Sequence, residues 1–406
     1  MVEGRTKVPI AAAIAVVLTP ALSSFAATGL IPVLPQMVKA FGGNAQLGTL
    51  TVTLPLLAAA AATALLGFFG DRFPRRTVFI ASAGLYAVAA PFPFLLDSLP
   101  LVIVARFLTG LAIGFMVASS LGLIGDLVVR ERRAVWLSAQ SIVAATLTIG
   151  GSALNGYLGQ YGWQFAFLIN LIGVPVFLMA ATLPKILPAA DVGGTGSIAA
   201  KMRFPWRSTS IIFVMVVAGI LVVVPASYEM GYLFSERGIG SSVMIGNMAA
   251  AIAAGAALGA ALLPAIRRLA PFYSIAVCLI LSSLGQSIMV FAGTAVVPLA
   301  MGVLLFGSAQ GLFMASMALW LLNSVESSVR GRATGLFRTL IYVSGFVGPQ
   351  LARLSSDALG SSQGTFLAYA SLALSLAVLL AIIEAAKGND QAAAEMTKVP
   401  RFGPTE

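Results

Sequence analysis

Long apolar stretches recur along the whole 406-residue chain and are separated by short polar loops. A helix needs about 20 apolar residues to cross the ~30 Å hydrocarbon layer of a bilayer. Twelve stretches reach this length, and their approximate limits are 8–33, 46–70, 77–96, 99–125, 135–158, 163–183, 209–233, 242–266, 271–292, 296–322, 333–352 and 363–384. The sequence therefore predicts an all-α integral membrane protein with twelve transmembrane helices.

The composition excludes a soluble fold and most catalytic chemistry. Hydrophobic residues make up 59% of the chain and charged residues only 9%, against about 25% charged residues in soluble domains. The chain has no His, and its single Cys278 lies in an apolar run. We therefore expect no disulfide, no metal site, no cofactor and no enzymatic activity.

The positive charges are concentrated in alternate loops. Positive charge in short loops marks the cytoplasmic side of a membrane protein. The cations of one side are Arg5, Lys7, Arg72, Arg75, Arg76, Arg130, Arg132, Arg133, Lys185, Lys201, Arg203, Arg207, Arg267, Arg268, Arg330, Arg332, Lys387, Lys398 and Arg401. Only Lys39, Arg237 and Arg353 are assigned to the opposite loops. We expect a multi-pass protein of the inner (plasma) membrane with both termini cytoplasmic, and no nucleic-acid partner.

An alternative for residues 1–27 is a signal peptide, because Arg5 and Lys7 precede an apolar run and Ser24-Phe25-Ala26 resembles a cleavage site. The apolar run is longer than a signal peptide usually carries. Cleavage would also leave eleven spans, which conflicts with an internal duplication.

Weak internal repeats at a nearly constant offset indicate this duplication. Gly67 followed by Arg75-Arg76 matches Gly259 followed by Arg267-Arg268. Gly110 and Gly114 match Gly307 and Gly311, and Arg133-Ala134 matches Arg332-Ala333. We predict an N-terminal six-helix bundle over 1–183, a polar linker over 184–208, a C-terminal bundle over 209–384 and a cytoplasmic tail, expected to be disordered, over 385–406.

Two motifs carry a resemblance to a known family. Residues 67–76 read GFFGDRFPRR, similar to the G-x-x-x-D-R-x-G-R-R loop of the major facilitator superfamily, with Pro74 in place of a glycine. Residues 106–114 read RFLTGLAIG, similar to its R-x-x-x-G-x-x-x-G element. The resemblance implies two pseudo-symmetric six-helix bundles and a secondary transporter that works by alternating access.

The same resemblance implies a conformational latch that holds the cytoplasmic side closed in the outward-facing state. Its residues here would be Gly67, Asp71, Arg72, Arg75, Asp126 and Arg338. An anion at a helix N-terminus contributes about 0.3–1 kcal/mol, which suits contacts that break in every cycle. The alternative is that these loop charges only set the topology.

Arg106 lies about two turns inside the fourth span. An Arg at a helix centre costs about 2.5–3.5 kcal/mol on insertion, so it requires a partner or a wet cavity. The resemblance implies a cavity residue that takes part in proton or substrate coupling. The alternative is a structural Arg that bonds backbone carbonyls. Gly110 and Gly114 follow on the same face, where we expect them to allow close helix packing.

Glu229, near the outer end of span seven, is the one carboxylate that we place inside a span away from the cytoplasmic ends. It is our candidate proton carrier, and the alternative is a wet, inert position at the outer interface. Uncharged polar residues complete the candidate cavity or, alternatively, join helices. They are Ser23, Ser24, Thr28, Gln140, Asn155, Gln310 and Tyr342.

The sequence departs from drug and proton antiporters of this superfamily at two points. Span one has no acidic residue, and residues 149–157, IGGSALNGY, have Ser152 where these antiporters have a proline. The sparse charge still favours a lipophilic substrate. We expect a monomer that exports small hydrophobic or amphipathic molecules in exchange for protons. The alternatives are an importer of a metabolite or siderophore-like compound and a transport-inactive membrane sensor.

Overall fold

The computed structural model describes residues 9–69, 73–128, 132–184, 205–266, 268–326 and 329–396. Twelve long helical units, α1 to α12, account for most of these residues. They are α1 (Ile10–Thr28, continued by Ile31–Val33 and Leu34–Ala40), α2 (Ala45–Phe69), α3 (Arg75–Ala89), α4 (Leu99–Leu127), α5 (Arg133–Leu158), α6 (Trp163–Ile172 and Gly173–Ala181), α7 (Trp206–Val223 and Pro225–Glu236), α8 (Ser242–Ala261), α9 (Pro271–Phe291), α10 (Val296–Ser324), α11 (Arg330–Leu359) and α12 (Ser362–Met396).

Eleven of these units in the described part of the chain are long and apolar enough to cross a membrane. The remaining unit, α11, is 30 residues long but carries several polar and charged side chains. The predicted all-α fold with twelve membrane helices in two bundles is confirmed. We call α1 to α6 the N-half and α7 to α12 the C-half.

The first and the last helix run beyond their predicted limits. The first span was predicted to end at residue 33, but the membrane unit continues through Leu34–Ala40. The last helix extends from Ser362 to Met396, so residues 385–396 of the predicted disordered tail are helical. Residues 1–8, most of the predicted linker (185–204) and residues 397–406 lie outside the described part.

The largest boundary error concerns α11. Arg353 was assigned to an outer loop, but it lies inside the helix, which ends at Leu359 before Gly360. Gly360 has φ 69°, a left-handed conformation that glycine adopts at helix ends without steric cost. The apolar run stops at residue 352 because the last turns of α11 carry polar side chains. Most of these polar side chains face other helices.

Small residues allow the close packing of α2 on α4 in the N-half. A Cβ atom on Gly110 would collide with the backbone of Pro55, and one on Gly114 would collide with the backbone of Ala59. Glycine at these two positions therefore lets the helix backbones touch.

The C-half repeats this packing between α8 and α10. Gly307 lies against the backbone of Ile252, and Gly311 lies against the backbone of Ala256. Each of these four residues follows its N-half counterpart by the same 197 positions. The sequence repeat thus corresponds to a repeated helix contact.

The two halves meet through α2 against α11 and α5 against α8. At the second contact, a Cβ on Gly156 would lie 2.8 Å from the Cα of Gly246. The backbones of α5 and α8 therefore touch across the boundary between the halves. For the two faces of the bundle, we use "basic end" for the loops rich in Arg and Lys and "opposite end" for the loops that follow α1, α7 and α11.

Candidate functional site

A buried ion pair joins α7 and α11 near the opposite end. The Arg353 guanidinium donates to Oε2 of Glu229 at 3.2 Å and to Oδ1 of Asp357 at 2.9 Å. Glu229 is only 1% exposed and Arg353 8%, whereas the Asp357 side chain is 56% exposed. Arg353 therefore lies between one buried carboxylate and one that reaches solvent.

Glu229 is not fully satisfied by this pairing. Its second oxygen, Oε1, is buried and has no hydrogen-bond partner among the described residues. A charge that is removed from water depends on its partner, so the loss of Arg353 would leave Glu229 uncompensated. The outer end of α7 thus carries a carboxylate in a dry, paired environment, and the wet position considered as an alternative is not observed.

Tyr232 connects this ion pair to the N-half. The Arg353 guanidinium lies over the Tyr232 ring, 4.8 Å from its centroid. The Tyr232 hydroxyl donates to the carbonyl of Ala45 at 3.3 Å and lies 3.5 Å from the hydroxyl of Thr49. One tyrosine therefore contacts the Arg353 cation with its ring and the start of α2 with its hydroxyl.

Further hydrogen bonds between the halves lie at the same end. Gln46 donates to Gln350 at 2.8 Å, and Gln350 donates to Thr53 at 2.8 Å. Tyr228 donates to the carbonyl of Ala27 at 3.2 Å. The opposite end of the structure is therefore closed by contacts between α2 and α11 and between α1 and α7.

Arg106 bonds backbone carbonyls of two neighbouring helices. It is 1% exposed, and its guanidinium donates to the carbonyls of Ala26, Thr51 and Val52. Its Nη1 is buried without a partner among the described residues. Arg106 and Glu229 therefore belong to separate hydrogen-bond networks. Tyr228, the neighbour of Glu229 in the chain, nevertheless lies close enough to Arg106 to interact with it electrostatically.

The outer end of α1 exposes carbonyl groups that other helices satisfy. The helix ends at Thr28, and Pro32 and Pro35 offer no N–H group to continue the ladder. The carbonyl of Gly29 accepts a hydrogen bond of 2.7 Å from Asn155 of α5. Together with Arg106 and Tyr228, Asn155 holds this broken end of α1 in place.

The middle of α1 shows the same chemistry. Pro20 lies inside the helix and lacks the N–H that would bond the Val16 carbonyl. Gln140 of α5 donates its side-chain amide to that carbonyl at 2.8 Å. Gln140 is 4% exposed, so this contact lies inside the N-half.

The remaining cavity candidates occupy less distinctive positions. Ser24 and Thr28 donate to carbonyls one turn earlier in their own helix. Gln310 of α10 donates to the Ser227 hydroxyl at the start of the outer segment of α7, at 2.8 Å. Tyr342 of α11 packs against an apolar cluster of the N-half. Ser23 is partly buried in α1.

The predicted latch is only partly described. Asp71 and Arg72 lie outside the described residues, and Gly67 and Asp126 lie within α2 and α4. The Arg75 side chain lies against Gly122 of α4, where a Cβ would come within 2.6 Å of its Cδ. The structure therefore places Arg75 beside α4 one turn before Asp126. Arg338 is an exposed residue of α11.

A neighbouring arginine bonds the end of α6. Arg76 donates from Nε to the carbonyl of Leu183 at 2.7 Å. This contact satisfies a carbonyl just beyond the helix end.

Sequence comparison decides the family. The profile of the Major Facilitator Superfamily matches residues 16–349. The chain belongs to the major facilitator superfamily. The two bundles of membrane helices described above are the fold of this superfamily.

Curated members of the superfamily match a shorter stretch. A multidrug resistance protein B homolog of Mycobacterium tuberculosis is 28% identical over 157 residues, which cover 38% of this chain and 29% of that protein. A putative multidrug resistance protein of Salmonella typhi is 30% identical over 154 residues, 36% of this chain and 31% of that protein. The matches thus span less than a third of either relative.

Solved structures of the superfamily match nearly the whole fold. The crystal structure of a D-xylose-proton symporter has a TM-score of 0.72 at 13% identity and covers 91% of this chain and 97% of that one. A nucleoside transporter has a TM-score of 0.64 at 17% identity, with coverage of 90% and 99%. At these identities the likeness concerns the fold alone.

The fold brings together several polar residues that were not predicted from the sequence as site residues. They are Arg353, Asp357, Tyr232, Tyr228, Gln46 and Gln350. Arg353 and Asp357 are spaced i and i+4, a pattern that supports a helix. That spacing was the available signal that α11 continues beyond residue 352.

Proposed function

We propose that this superfamily transporter exports small hydrophobic or amphipathic molecules in exchange for protons, by alternating access between its two halves. The observation that carries proton coupling is the buried ion pair of Glu229 with Arg353. An ionisable residue inside a membrane helix is costly and typically marks an ion or proton path. Glu229 is therefore the proposed proton-carrying residue.

Export of lipophilic compounds is supported by two observations. The matched relatives of Mycobacterium tuberculosis and Salmonella typhi are named multidrug resistance proteins. The chain is also poor in charge, and most polar side chains at the candidate site already bond backbone or one another. A site that offers few free hydrogen-bonding groups favours a ligand that does not require many hydrogen bonds.

We place the basic end in the cytoplasm of a cell whose inner membrane holds the protein, because of the excess of positive charge in those loops. Lys39 at the opposite end and Arg268 at the basic end are both exposed. A cysteine at residue 39 should then react with a membrane-impermeant maleimide in intact cells, and one at residue 268 should react only after lysis. The reverse pattern would invert the topology.

The residues of the N-half have a supporting role in this proposal. Arg106, Asn155 and Gln140 hold the broken helix α1 through its carbonyls. We propose that Arg106 takes part in coupling by fixing α1, and that the latch residues, with Asp71 and Asp126 as its acids, stabilise the state in which the basic end is closed.

The test is accumulation of lipophilic dyes and antibiotics in cells that express the wild type, Glu229→Gln or no transporter, with and without a protonophore. We expect the wild type to lower accumulation, and the variant or the protonophore to restore it. Asp97→Asn is the matched control, because Asp97 is an exposed carboxylate in the loop between α3 and α4 and lies outside the ion pair. It should export as the wild type does.

An importer is the second candidate, supported by the absence of an acidic residue from α1 and of a proline at Ser152. It predicts no change of dye accumulation across a broad panel. Uptake of labelled metabolites that requires Glu229 would then support import and contradict export.

A further inference from the structure

The Glu229 carboxylate is surrounded by groups that can respond to its charge. Arg353 and Asp357 face it from α11, Glu236 and Tyr232 lie on its own helix, and Tyr369 of α12 lies within electrostatic range of it. This set holds the carboxylates of Glu229, Glu236 and Asp357 and one cation, Arg353. The positive charge that offsets these carboxylates is therefore that of Arg353. Its position therefore depends on which carboxylate is charged.

Arg353 has two carboxylate partners that differ in access to water. Glu229 is 1% exposed, while the Asp357 side chain is 56% exposed. The bond to Glu229 exists as an ion pair only while Glu229 is ionised. When Glu229 carries a proton, Asp357 becomes the only negatively charged partner of the guanidinium among the residues that the structure describes.

The Arg353 guanidinium also contacts a residue that joins the two halves. It lies over the ring of Tyr232, whose hydroxyl reaches Ala45 at the start of α2. A cation over an aromatic ring contributes about 0.5–2 kcal/mol, with the larger values in dry sites. A shift of Arg353 toward Asp357 would therefore weaken the packing that positions Tyr232 against the N-half.

We propose that Arg353 is a positioning residue through which the protonation of Glu229 opens the opposite end of the transporter. With Glu229 ionised, Arg353 stays over Tyr232, and the opposite end is closed. With Glu229 protonated, Arg353 moves toward Asp357, Tyr232 leaves α2, and the end opens. This role rests on the proposed function, because the proton that Glu229 binds would control whether the opposite end is open.

Thermodynamic reciprocity gives the sign of the pH dependence. The closed end contains a bond that needs ionised Glu229, so binding of a proton and closure oppose each other by the same coupling free energy. Low pH should therefore favour the open end, and closure should release the proton. This relation holds for export and for import alike.

The experiment measures the opening without any substrate. Lys39 of the N-half and Ala358 of the C-half are exposed residues at the opposite end, and both are changed to Cys for spin labelling in a Cys278→Ser background. The full-length protein is placed in lipid nanodiscs, and the distance between the labels is measured by electron spin resonance in acidic and in alkaline buffer.

We expect the population of long distances in the wild type to grow in acid. Glu229→Gln, which cannot ionise, should show long distances in both buffers, whereas Glu229→Asp should keep a response to pH. Tyr232→Leu leaves the ion pair but removes the link to α2, so its distances should no longer follow pH. Asp97→Asn, which changes an exposed carboxylate in the loop between α3 and α4 outside this set, should respond as the wild type does.

Distances in the wild type that do not depend on pH would overturn the proposal. So would a Glu229→Gln protein that follows pH as the wild type does, or a Tyr232→Leu protein with an unchanged response. Because no substrate is present, the outcome is separate from that of the dye assay. A pH-dependent opening without export would overturn only the proposed function, and export without a pH-dependent opening would overturn only the role of Arg353.

Discussion

Gln140 donates its side-chain amide to the Val16 carbonyl, the carbonyl that Pro20 leaves without a partner inside α1. A proline in a membrane helix is tolerated where a neighbouring helix satisfies the freed backbone group. The pairing of a proline in α1 with a glutamine in α5 is therefore one structural unit, although the two residues are far apart in the chain.

Gln140→Leu should destabilise the protein by about 0.6 kcal/mol and by no more than about 1.7 kcal/mol, the average and the maximum for side-chain hydrogen bonds between membrane helices. The Val16 carbonyl would lose its partner, while the side chain would keep a similar size. Thermal unfolding of purified protein measures the effect. Ser141→Ala is the matched control, since Ser141 is an exposed neighbour that bonds only its own helix, and an equal loss there would contradict the interpretation.

Gly156→Leu should prevent closure of the opposite end and abolish transport. A side chain at this position would enter the backbone of α8, where a Cβ already lies 2.8 Å from the Cα of Gly246. Label distances across the opposite end and dye accumulation measure the two effects. On the same helix, a Cβ at Gly150 has open space around it, so Gly150→Leu should transport as the wild type does. Closure in Gly156→Leu would show that this contact does not limit the cycle.

Arg106→Lys should lower the thermal stability and the transport rate but should not move the pH profile of transport. Lysine keeps the charge but cannot reproduce the forked donors that reach three carbonyls at once. Transport rates measured across a pH series test this. A shifted pH profile in Arg106→Lys would favour a direct role of Arg106 in proton coupling instead.

Gly122→Val should impair transport through the latch. A Cβ at this position would come within 2.6 Å of the Arg75 side chain and would push it away from α4. The defect should match that of Asp71→Asn, and the double variant should be no worse than either single one, because the residues act together. Transport and membrane insertion are measured for each. Gly335→Val is the control, since a Cβ there meets no neighbour, and additive defects would argue against a shared latch.

The architecture of this protein was predictable because membrane helices are read from long apolar runs. Hydropathy failed at the end of α11, where the apolar run already contains Gln350 and stops before Arg353. These side chains are compatible with a membrane helix because they meet partners on α7 and α2. Which polar side chains meet across helices depends on three-dimensional contacts, and these contacts cannot be inferred from a single sequence.

The candidate site was predictable in part for the same reason. Glu229 stood out as an acidic residue inside an apolar run, but its partner was assigned to a loop. Gln140 and Asn155 were recognised as polar residues within helices, yet the carbonyls they bond belong to α1. The carbonyls that need a partner lie at the breaks of α1. The side chains that satisfy them are seen only when the helices are packed together.

The repeated contact between helices also shows where the two halves have diverged. The residue that follows Arg106 by 197 positions is Val303 of α10, and it is completely buried. The repeated helix pair thus carries a cation in one half and a hydrocarbon side chain in the other. Since Val303 has no donor, the C-half cannot hold α7 from this position as Arg106 holds α1. The helix contact is therefore repeated in the two halves, whereas the charged group that holds α1 is not.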